Sequence, residues 1–486
     1  MKQVLVQKFG GTSVGKLPLQ IAKDIVLTHQ DNYRVIVVCS ARSTSVKDKG
    51  TTTCLLRAAS TALSRTGDFR KEIADIRSGH IEAAEESLGA ESPLLAGVIA
   101  EINEECDQCI RILEASKILN EVSDRTMDLV LSVGEKLACI YMTAVLKSVG
   151  LKAEYVNFSS IVPLENRPLN HEYYDMVKAR MRERLDEIPD DVVPVVTGFF
   201  GLLPGGLLSA VGRGYTDLCS ALIAVALKAC ELQIWKEVDG IFTADPRKVP
   251  NARLLAQITP EEASELTYYG SEVIHPFTME QVISARIPIR IKNVKNPFAN
   301  GTIIFPSTDS KEGTSTPIHP PLAVSKSFLD LRLAKKGPTA VTSKSNIIVL
   351  NIHSNRTKGS HGFLALVFSI LDRWKLVVDL ISTSEVHISM AIHALKPDGS
   401  LQEALAELRK YGVVDVTSNL CIVSLVGKNM KQYVGIAGQM FTTLAEAGVN
   451  LEMISQGASE INISCVINES DSLKAVNVLH HKLLHL

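Results

Sequence analysis

The sequence predicts an α/β fold with a mostly parallel sheet, followed by a smaller α+β region. Up to about residue 306, short apolar β-type runs alternate with longer helical patterns, which is typical of helices layered on a parallel sheet. The chain has 486 residues, too many for one ordinary core. A stretch rich in Ser, Thr, Pro and Lys at 307–344 then predicts a linker between domains.

The first region, residues 1–306, is predicted to contain strands at 4–7, 35–39, 192–197, 232–235 and 289–291. Its clearest helical patterns cover 19–30, 53–65, 123–149, 216–229 and 260–269. Another helix is predicted over 101–119, because its apolar residues share one face. Cys106 and Cys109 lie on that face, and a lone cysteine pair is a weak metal signal, so we expect both in the core.

The region after the linker repeats itself. Residues 384–389 (SEVHIS) return as residues 459–464 (SEINIS). Each copy lies in a unit that reads strand, helix, strand, strand, helix: 347–352, 362–373, 376–381, 386–391 and 401–410, then 421–426, 434–446, 449–454, 460–467 and 472–484. That order predicts two ferredoxin-like α+β modules at 345–416 and 417–486, either purely structural or ligand-binding. We expect His480 and His481 at the surface of the terminal helix.

Composition and charge argue against several classes of function for this chain. The chain is 46% hydrophobic and 21% charged with a net charge of −2, so it gives no electrostatic reason to bind nucleic acid or membrane. From the residues after Met1 we expect no leader peptide, and we expect no apolar stretch near the roughly 20 residues that cross a bilayer. Nine cysteines, an odd number, predict reduced thiols rather than a disulfide framework. These observations predict a cytoplasmic protein.

The run at residues 4–15 (VLVQKFGGTSVG) carries the first chemical signal. An apolar strand ends near Lys8 and opens onto Gly10 and Gly11. Glycines at positive φ, their N–H groups and a helix N-terminus suit an anion, and Lys8 would add a full positive charge. The pattern is neither a Walker loop nor a dinucleotide fingerprint. An ordinary tight turn is the alternative.

Three further stretches combine charge with unusual surroundings. Arg213 lies between two glycines, followed by Thr216 as an expected N-cap and Asp217 in the first helical turn. Glu135 falls inside a long apolar helical pattern, where an unpaired charge is costly, so either a ligand or a structural salt bridge is needed. Residues 235–247 (WKEVDGIFTADPR) predict either a surface loop or a nucleotide-binding loop.

These motifs together resemble one family. Aspartate kinases carry similar motifs in the order found here: 7–13 (QKFGGTS), 134–137 (GEKL), 212–217 (GRGYTD), 239–247 (DGIFTADPR) and 270–276 (GSEVIHP). The similarity covers nearly the whole chain, is nearest to the monofunctional fungal type, and extends to the repeats, which resemble that family's ACT domains. The resemblance implies an amino-acid-kinase three-layer sandwich with a mostly parallel central sheet, followed by two ACT modules.

The same resemblance implies the reaction. The γ-phosphoryl group of ATP, bound with Mg²⁺, would pass to the β-carboxylate of L-aspartate, giving 4-phospho-L-aspartate in the first step of threonine and methionine biosynthesis. A carboxylate with a reference pKa of about 3.9 is ionised at neutral pH and needs no general base. Catalysis then requires positioning and neutralisation of phosphate charge.

Site residues follow from motif position. Lys8 would contact the transferring phosphate, and Asp217 would orient Lys8 and the reacting groups. Arg213 would bind the α-carboxylate of aspartate and Glu135 its α-ammonium group. The nucleotide set is Lys8, Phe9, Gly10, Gly11, Ser40, Lys236, Glu237, Phe242 and Arg247, and the aspartate set is Thr52, Glu135, Phe199, Arg213 and Thr216. No residue is predicted as a metal ligand. Glu272 stands where many bacterial relatives have a phosphate-binding lysine, so either another cation, Arg247 or Lys248, compensates, or this loop belongs to a different subtype.

The repeats imply regulation. An effector site is predicted from His361, Gly362, Phe363, Leu364, Asp379 and Ser384, with Asp379 meeting an ammonium group, although a plain helix cap and a solvent-facing carboxylate are the alternative. We expect feedback inhibition by threonine and a homodimer or dimer of dimers joined through ACT modules. Competing hypotheses are a kinase for glutamate, acetylglutamate or UMP, a non-enzymatic amino-acid sensor, and a bifunctional kinase–dehydrogenase, for which a chain ending at Leu486 leaves no room.

Overall fold

A computed structural model describes residues 2–43, 50–64, 67–162, 170–201, 206, 214–268, 274, 276–305, 337–354, 362–384, 387–393, 399–428, 430, 433–457 and 461–484. The chain forms two compact units. The first unit comprises Met1–Ile241, Ala256–Pro260 and Ile274–Ala323, and the second comprises Phe242–Leu255, Glu261–Val273 and Val324–Leu486. This division differs from the sequence boundaries, because two segments within 1–306 belong to the second unit.

The first unit is built on an eight-stranded sheet in the order β3-β4-β2-β1-β5-β7-β8-β6. Its strands are β1 Gln3–Phe9, β2 Tyr33–Cys39, β3 Ala153–Val156, β4 Val193–Thr197, β5 Glu231–Lys236, β6 Gln257–Ile258, β7 Ile289–Asn293 and β8 Thr302–Ile304. All of its neighbouring strands pair in parallel except β7 and β8. The mostly parallel sheet predicted from the sequence is therefore confirmed.

The helices of residues 1–305 are α1 Gly11–Lys16, α2 Pro18–Gln20, a π-helical segment Ile21–Val26, α3 Leu27–Gln30, α4 Thr51–Ala62, α5 Phe69–Leu88, α6 Leu95–Leu119, α7 Asp124–Ser148, α8 His171–Asp186, α9 Tyr215–Ala226, α10 Pro260–Tyr268 and α11 Pro276–Ser284. The patterns did not predict α5, α8, α11, β3, β6 or β8. Cys106 and Cys109 are fully buried on α6, as expected.

The helix α7 corrects one expectation. It has 25 residues and is the one helix in the described part of the chain that is apolar and long enough to cross a membrane. The prediction that no stretch approaches that length is therefore wrong. Most of its apolar window is buried within the protein, so α7 is the central helix of a core.

The strand order reverses at β1. The strand β2 pairs with one side of β1, and β5 pairs with the other side. The chain forms β2 directly after β1, but it forms β5 only after β3 and β4 have extended the sheet on the β2 side. In open parallel sheets, ligands bind at the carboxyl ends of strands beside such a switch point. The residues that follow β1, β2, β4 and β5 are therefore placed at one edge of the sheet.

The second unit contains a six-stranded sheet in the order β10-β11-β9-β12-β14-β13, and its strand pairs are antiparallel. Its elements are β9 Ala340–Ser354, α12 Phe363–Arg373, β10 Val378–Thr383, β11 His387–His393, α13 Ser400–Leu408, β12 Gly412–Val426, α14 Ile436–Glu446, β13 Met453–Ser455, β14 Asn462–Asn468 and α15 Ser472–Leu483. The two repeats therefore share one sheet.

Two long strands join the repeats. The strands β9 and β12 have 15 residues each. The first half of β12 pairs with the second half of β9, and the second half of β12 pairs with the first half of β9. Each repeat thereby gains a sixth element, a fourth strand, that its five predicted elements lack. The boundary expected at 416/417 falls inside β12, and residues 340–344 of the expected linker are in a strand.

Candidate functional site

A lysine and an aspartate form the centre of the candidate site. Lys8 lies near the carboxyl end of β1, and Asp217 lies in the first turn of α9. Lys8 Nζ lies 2.6 Å from Asp217 Oδ1, and the two side chains are only 11% and 10% exposed. Because both are nearly buried, the pair is held in a defined geometry. The ammonium group of Lys8 is thus fixed at the strand end.

Glu135 forms a second polar centre. It is fully buried on α7, and Thr216 Oγ1 donates a hydrogen bond of 2.8 Å to Glu135 Oε1. Burial raises the pKa of Glu135 to about 7, although hydrogen bonds from Thr216 and Tyr215 oppose the rise. Among the described residues, no ion pair includes Glu135. The structural salt bridge considered from the sequence is therefore not found within those ranges.

The hydroxyl of Thr216 contacts the second polar centre rather than capping a helix. The N-cap of α9 is Gly214 at φ 112°, so the expectation of an N-cap at Thr216 is wrong. The hydroxyl of Thr216 bonds Glu135, and Ser40 Oγ lies 3.2 Å from Thr216 Oγ1. A neighbouring glycine permits this packing, because a Cβ on Gly198 would lie 2.3 Å from Thr216 Cγ2.

Tyr215 is a site residue that the sequence reasoning missed. Its ring packs edge-on against Phe199, with centroids 6.4 Å apart. Burial and the neighbouring Glu135 raise the pKa of the Tyr215 phenol well above its ordinary value. The available signal was its place in the GRGYTD motif, directly before Thr216.

The two glycines after β1 have different roles. Neither has a positive φ, and Gly10 is extended at φ −72° and ψ 155°, so that expectation is wrong. A Cβ on Gly11 would lie 1.9 Å from the carbonyl oxygen of Ala41, whereas a Cβ on Gly10 would meet nothing within 4 Å. Gly11 therefore permits a close backbone approach, and Gly10 leaves open space beside the turn.

This difference gives a matched pair of variants. We expect Gly11→Ala to lower the free energy of unfolding by roughly 1–3 kcal/mol, because the new methyl group overlaps backbone. Gly10→Ala fits its φ and should leave stability unchanged within about 0.5 kcal/mol. Urea unfolding of both variants measures this. Equal midpoints for the two would contradict the assignment.

The nucleotide residues predicted from the sequence fall in both units. In the first, Lys236 ends β5, and Glu237 Oε2 lies 3.3 Å from Lys295 Nζ and 3.9 Å from Lys16 Nζ. In the second, Phe242 forms a β-bridge with Leu254.

The two cations expected to compensate for Glu272 already have partners. The guanidinium of Arg247, 87% exposed, binds both carboxylate oxygens of Asp245 and lowers the pKa of that carboxyl. Lys248 Nζ donates to Ser343 Oγ at 2.9 Å. Glu272 itself lies outside the described residues, as do Arg213 and His361. Thr52 lies in the first turn of α4.

The expected effector residues are partly engaged within the second unit. Asp379 is buried, and its Oδ1 lies 2.6 Å from Lys344 Nζ, which also lies 4.9 Å from the ring centre of Tyr268. Asp379 is therefore not a solvent-facing carboxylate. Gly362 caps α12 at φ 82°, Phe363 is buried in the core, Leu364 is partly exposed, and Ser384 Oγ accepts a hydrogen bond from the His387 backbone.

The parallel sheet, the glycine turn and the buried lysine–carboxylate pair define a class of small-molecule kinase. A profile of the amino acid kinase family matches residues 3–293, and an ACT domain profile matches residues 423–483. The chain belongs to the amino acid kinase family.

Individual proteins that are similar to this chain indicate which kind of amino acid kinase it is. The aspartokinase of Saccharomyces cerevisiae is 58% identical over 491 aligned residues, covering 99% of this chain and 92% of that protein. The crystal structure of E. coli aspartokinase III with aspartate and ADP, in the R-state, has a TM-score of 0.76 at 27% identity and covers 99% of this chain and 100% of that chain. The T-state complex with lysine and aspartate has a TM-score of 0.75 at 27% identity and covers 99% of each chain. Within its family, the chain is an aspartokinase, a kinase with a regulatory ACT domain.

Proposed function

We propose that this kinase transfers the γ-phosphoryl group of ATP to the β-carboxylate of L-aspartate, giving 4-phospho-L-aspartate and ADP, as the first step of threonine and methionine biosynthesis. The observation that carries the proposal is the Lys8–Asp217 pair of 2.6 Å, together with the hydrogen bond that Thr216, the residue before Asp217, donates to the buried Glu135. The E. coli enzyme crystallised with aspartate and ADP supports it.

Glu135 binds the α-ammonium group of aspartate in this proposal. A buried carboxyl whose pKa is raised to about 7 gains most from a cation placed beside it, because the cation restores the charged form. Arg213 takes the α-carboxylate by its position in the motif, since a guanidinium matches a carboxylate with two parallel hydrogen bonds. Thr52, Phe199 and Thr216 complete the pocket.

Phosphoryl transfer needs no proton transfer in this site. An oxygen of the β-carboxylate forms a bond to the γ-phosphorus while the bond from that phosphorus to the bridging oxygen breaks, and the electron pair leaves on ADP. Lys8 neutralises charge on the transferring group, and Asp217 holds Lys8 in place. The N–H groups of Gly10 and Gly11, with Ser40 and Phe9, line the phosphate side. Lys236, Glu237, Phe242 and Arg247 take the rest of the nucleotide by motif position.

Mg²⁺ fits this site as a companion of ATP. Kinases hold it with phosphate oxygens, water and one or two carboxylates, and Asp217 is the carboxylate available beside Lys8. Across the described ranges, no group of three or more His, Cys, Asp or Glu side chains forms a protein cage. When bound, the ion supplies further neutralisation of the phosphate charge.

Threonine is the proposed feedback inhibitor, acting through the ACT modules. The T-state E. coli structure, which holds lysine and aspartate, supports amino-acid control in this family. An effector's ammonium group would compete with Lys344 for Asp379. His361, Gly362, Phe363, Leu364 and Ser384 would complete that site by motif position.

The proposed assembly is a homodimer, or a dimer of dimers, joined through ACT modules in the cytoplasm. Leu364 and Phe368 on α12 and Ile381 on the edge strand β10 are large apolar side chains exposed on one module, which supports pairing with another copy. All nine cysteines are free, which suits a reducing compartment.

An acceptor competition tests the reaction. We expect ADP release with aspartate, and none above background with glutamate or UMP. Arg213→Ala should raise KM for aspartate more than it lowers kcat, because the side chain binds substrate. A preference for glutamate or UMP would overturn the proposal.

Threonine should lower the rate of ADP release and raise the midpoint of thermal unfolding, since a ligand that binds the folded state stabilises it. Lysine and methionine at equal concentration are the controls. If saturating threonine changes neither quantity, threonine is not the effector.

A further inference from the structure

We propose that the terminal helix α15 holds the segment Phe242–Leu255, here called the 242–255 loop, and that His480 is a positioning residue for ATP binding. The proposal rests on the proposed function, because Phe242 and Arg247 are assigned to the nucleotide by motif position. His480 was expected at the surface, yet it is 1% exposed. Its partner lies 237 residues away along the chain.

Thr243 is the point at which the 242–255 loop is fixed. Its Oγ1 lies 2.9 Å from His480 Nε2 and accepts a hydrogen bond of 2.9 Å from the backbone of Arg253. The Thr243 backbone N–H donates to the Arg253 carbonyl at 2.9 Å, and its carbonyl accepts from the N–H of Val341, in β9, at 2.8 Å. Four hydrogen bonds thus converge on one buried residue, and only the one to His480 reaches α15.

Further contacts follow the length of α15. Asn477 Nδ2 donates to the Lys248 carbonyl at 3.0 Å, and the guanidinium of Arg253 donates to the carbonyl of Leu484, just beyond the helix. Ala244 and Val249 belong to the same buried apolar cluster as residues of α15, including Val476 and Leu479. The loop is therefore part of the core of the second unit, not a free surface loop.

The chain order gives this packing a consequence for ATP. The residue before Thr243 is Phe242, and Arg247 follows four residues later, so the conformation of Thr243 determines how both side chains are presented. Lys8, on β1, and Asp217, on α9, lie outside the 242–255 loop. Loosening the Thr243–His480 contact should therefore weaken ATP binding without changing the phosphoryl-transfer step.

Paired variants at both ends of the contact test the proposal. Thr243→Val and His480→Phe keep similar shape but remove the hydrogen bond, whereas Thr243→Ser and His480→Gln can retain it. For the first pair we expect KM for ATP to rise about fivefold, the change expected from one buried hydrogen bond, while kcat and KM for aspartate stay within about twofold. Thr243→Ser and His480→Gln should stay near the wild type. His481→Gln, an exposed neighbour on α15, is the matched control.

Hydrogen exchange of the loop amides, measured without nucleotide, gives a second readout that does not need activity. Faster exchange across the 242–255 loop in Thr243→Val and His480→Phe supports the positioning role. Unchanged exchange, or an unchanged KM for ATP in folded variants, overturns it, as does an equal rise in both KM values. A wild-type chain without aspartate-dependent ADP release would refute the proposed function instead, and the exchange result would still decide whether α15 holds the loop.

Discussion

Replacing Lys8 with methionine is expected to lower kcat about a thousandfold, because it removes the fixed positive charge beside the transferring phosphate. Methionine keeps much of the apolar stem, so packing around β1 is largely preserved. Stopped assays of ADP formation at saturating ATP and aspartate measure the effect. Lys152→Met, which removes a lysine from an exposed pair with Asp191, should change kcat less than about twofold.

Asp217→Asn shows whether the two residues act as one group. If Asp217 serves mainly to hold Lys8, a double variant that combines Lys8→Met with Asp217→Asn should lose little more activity than Lys8→Met alone. Fully additive losses in free energy would mean that Asp217 contacts the reacting groups independently. If the kcat of Lys8→Met is near the wild-type value, Lys8 does not neutralise charge on the transferring phosphoryl group.

Glu135→Gln is expected to raise KM for aspartate about a hundredfold, because the α-ammonium group loses its buried anionic partner. Glutamine can still accept the hydrogen bond from Thr216, so the local geometry is retained. The same substitution should stabilise the protein without substrate at pH 8, because no buried charge has to form. Activity assays of this variant should therefore show weaker binding of aspartate, while urea unfolding should show a higher free energy of unfolding.

The pH dependence of this stability difference has a definite sign. Folding raises the pKa of Glu135 from 4.5 to about 7, so between these values the folded state binds more protons than the unfolded state. The free energy of unfolding of the wild type therefore falls as pH rises through that window, by roughly 3 kcal/mol. The gain in Glu135→Gln should be small near pH 5 and full by pH 8. A gain of the same size at both values would contradict this account.

The sequence predicted which strand ends would lie together, because the charged and polar residues of interest follow parallel strands. Lys8, Ser40 and Phe199 follow or end adjacent parallel strands, so their proximity follows from the topology once the strands are recognised. Gly11 was expected to matter through a positive φ, which it lacks, because it begins helix α1. The close approach of the Ala41 carbonyl depends on tertiary packing, which no local pattern contains.

The parts that were not predicted depend on contacts between distant segments. The start of β9 reads as polar linker sequence, and its strand is defined by pairing with β12. His480 has the sequence context of a surface helix end, and a loop far upstream buries it. Thr216 has a capping sequence, yet its hydroxyl bonds a carboxylate on α7. In each case the partner is remote in sequence, so local propensity gave no signal.

The strands β9 and β12 also limit where this regulatory region can be divided, whether in evolution or in an engineered protein. A cut at 416/417 would divide β12. Residues 412–416 would stay with the first repeat, but residues 340–344 would lose their partners at 422–426, and the second repeat would lose the strand that residues 340–344 supply. Both fragments would then present unpaired backbone at a sheet edge, which favours aggregation. The two repeats are consequently expected to fold only when both are kept in one chain.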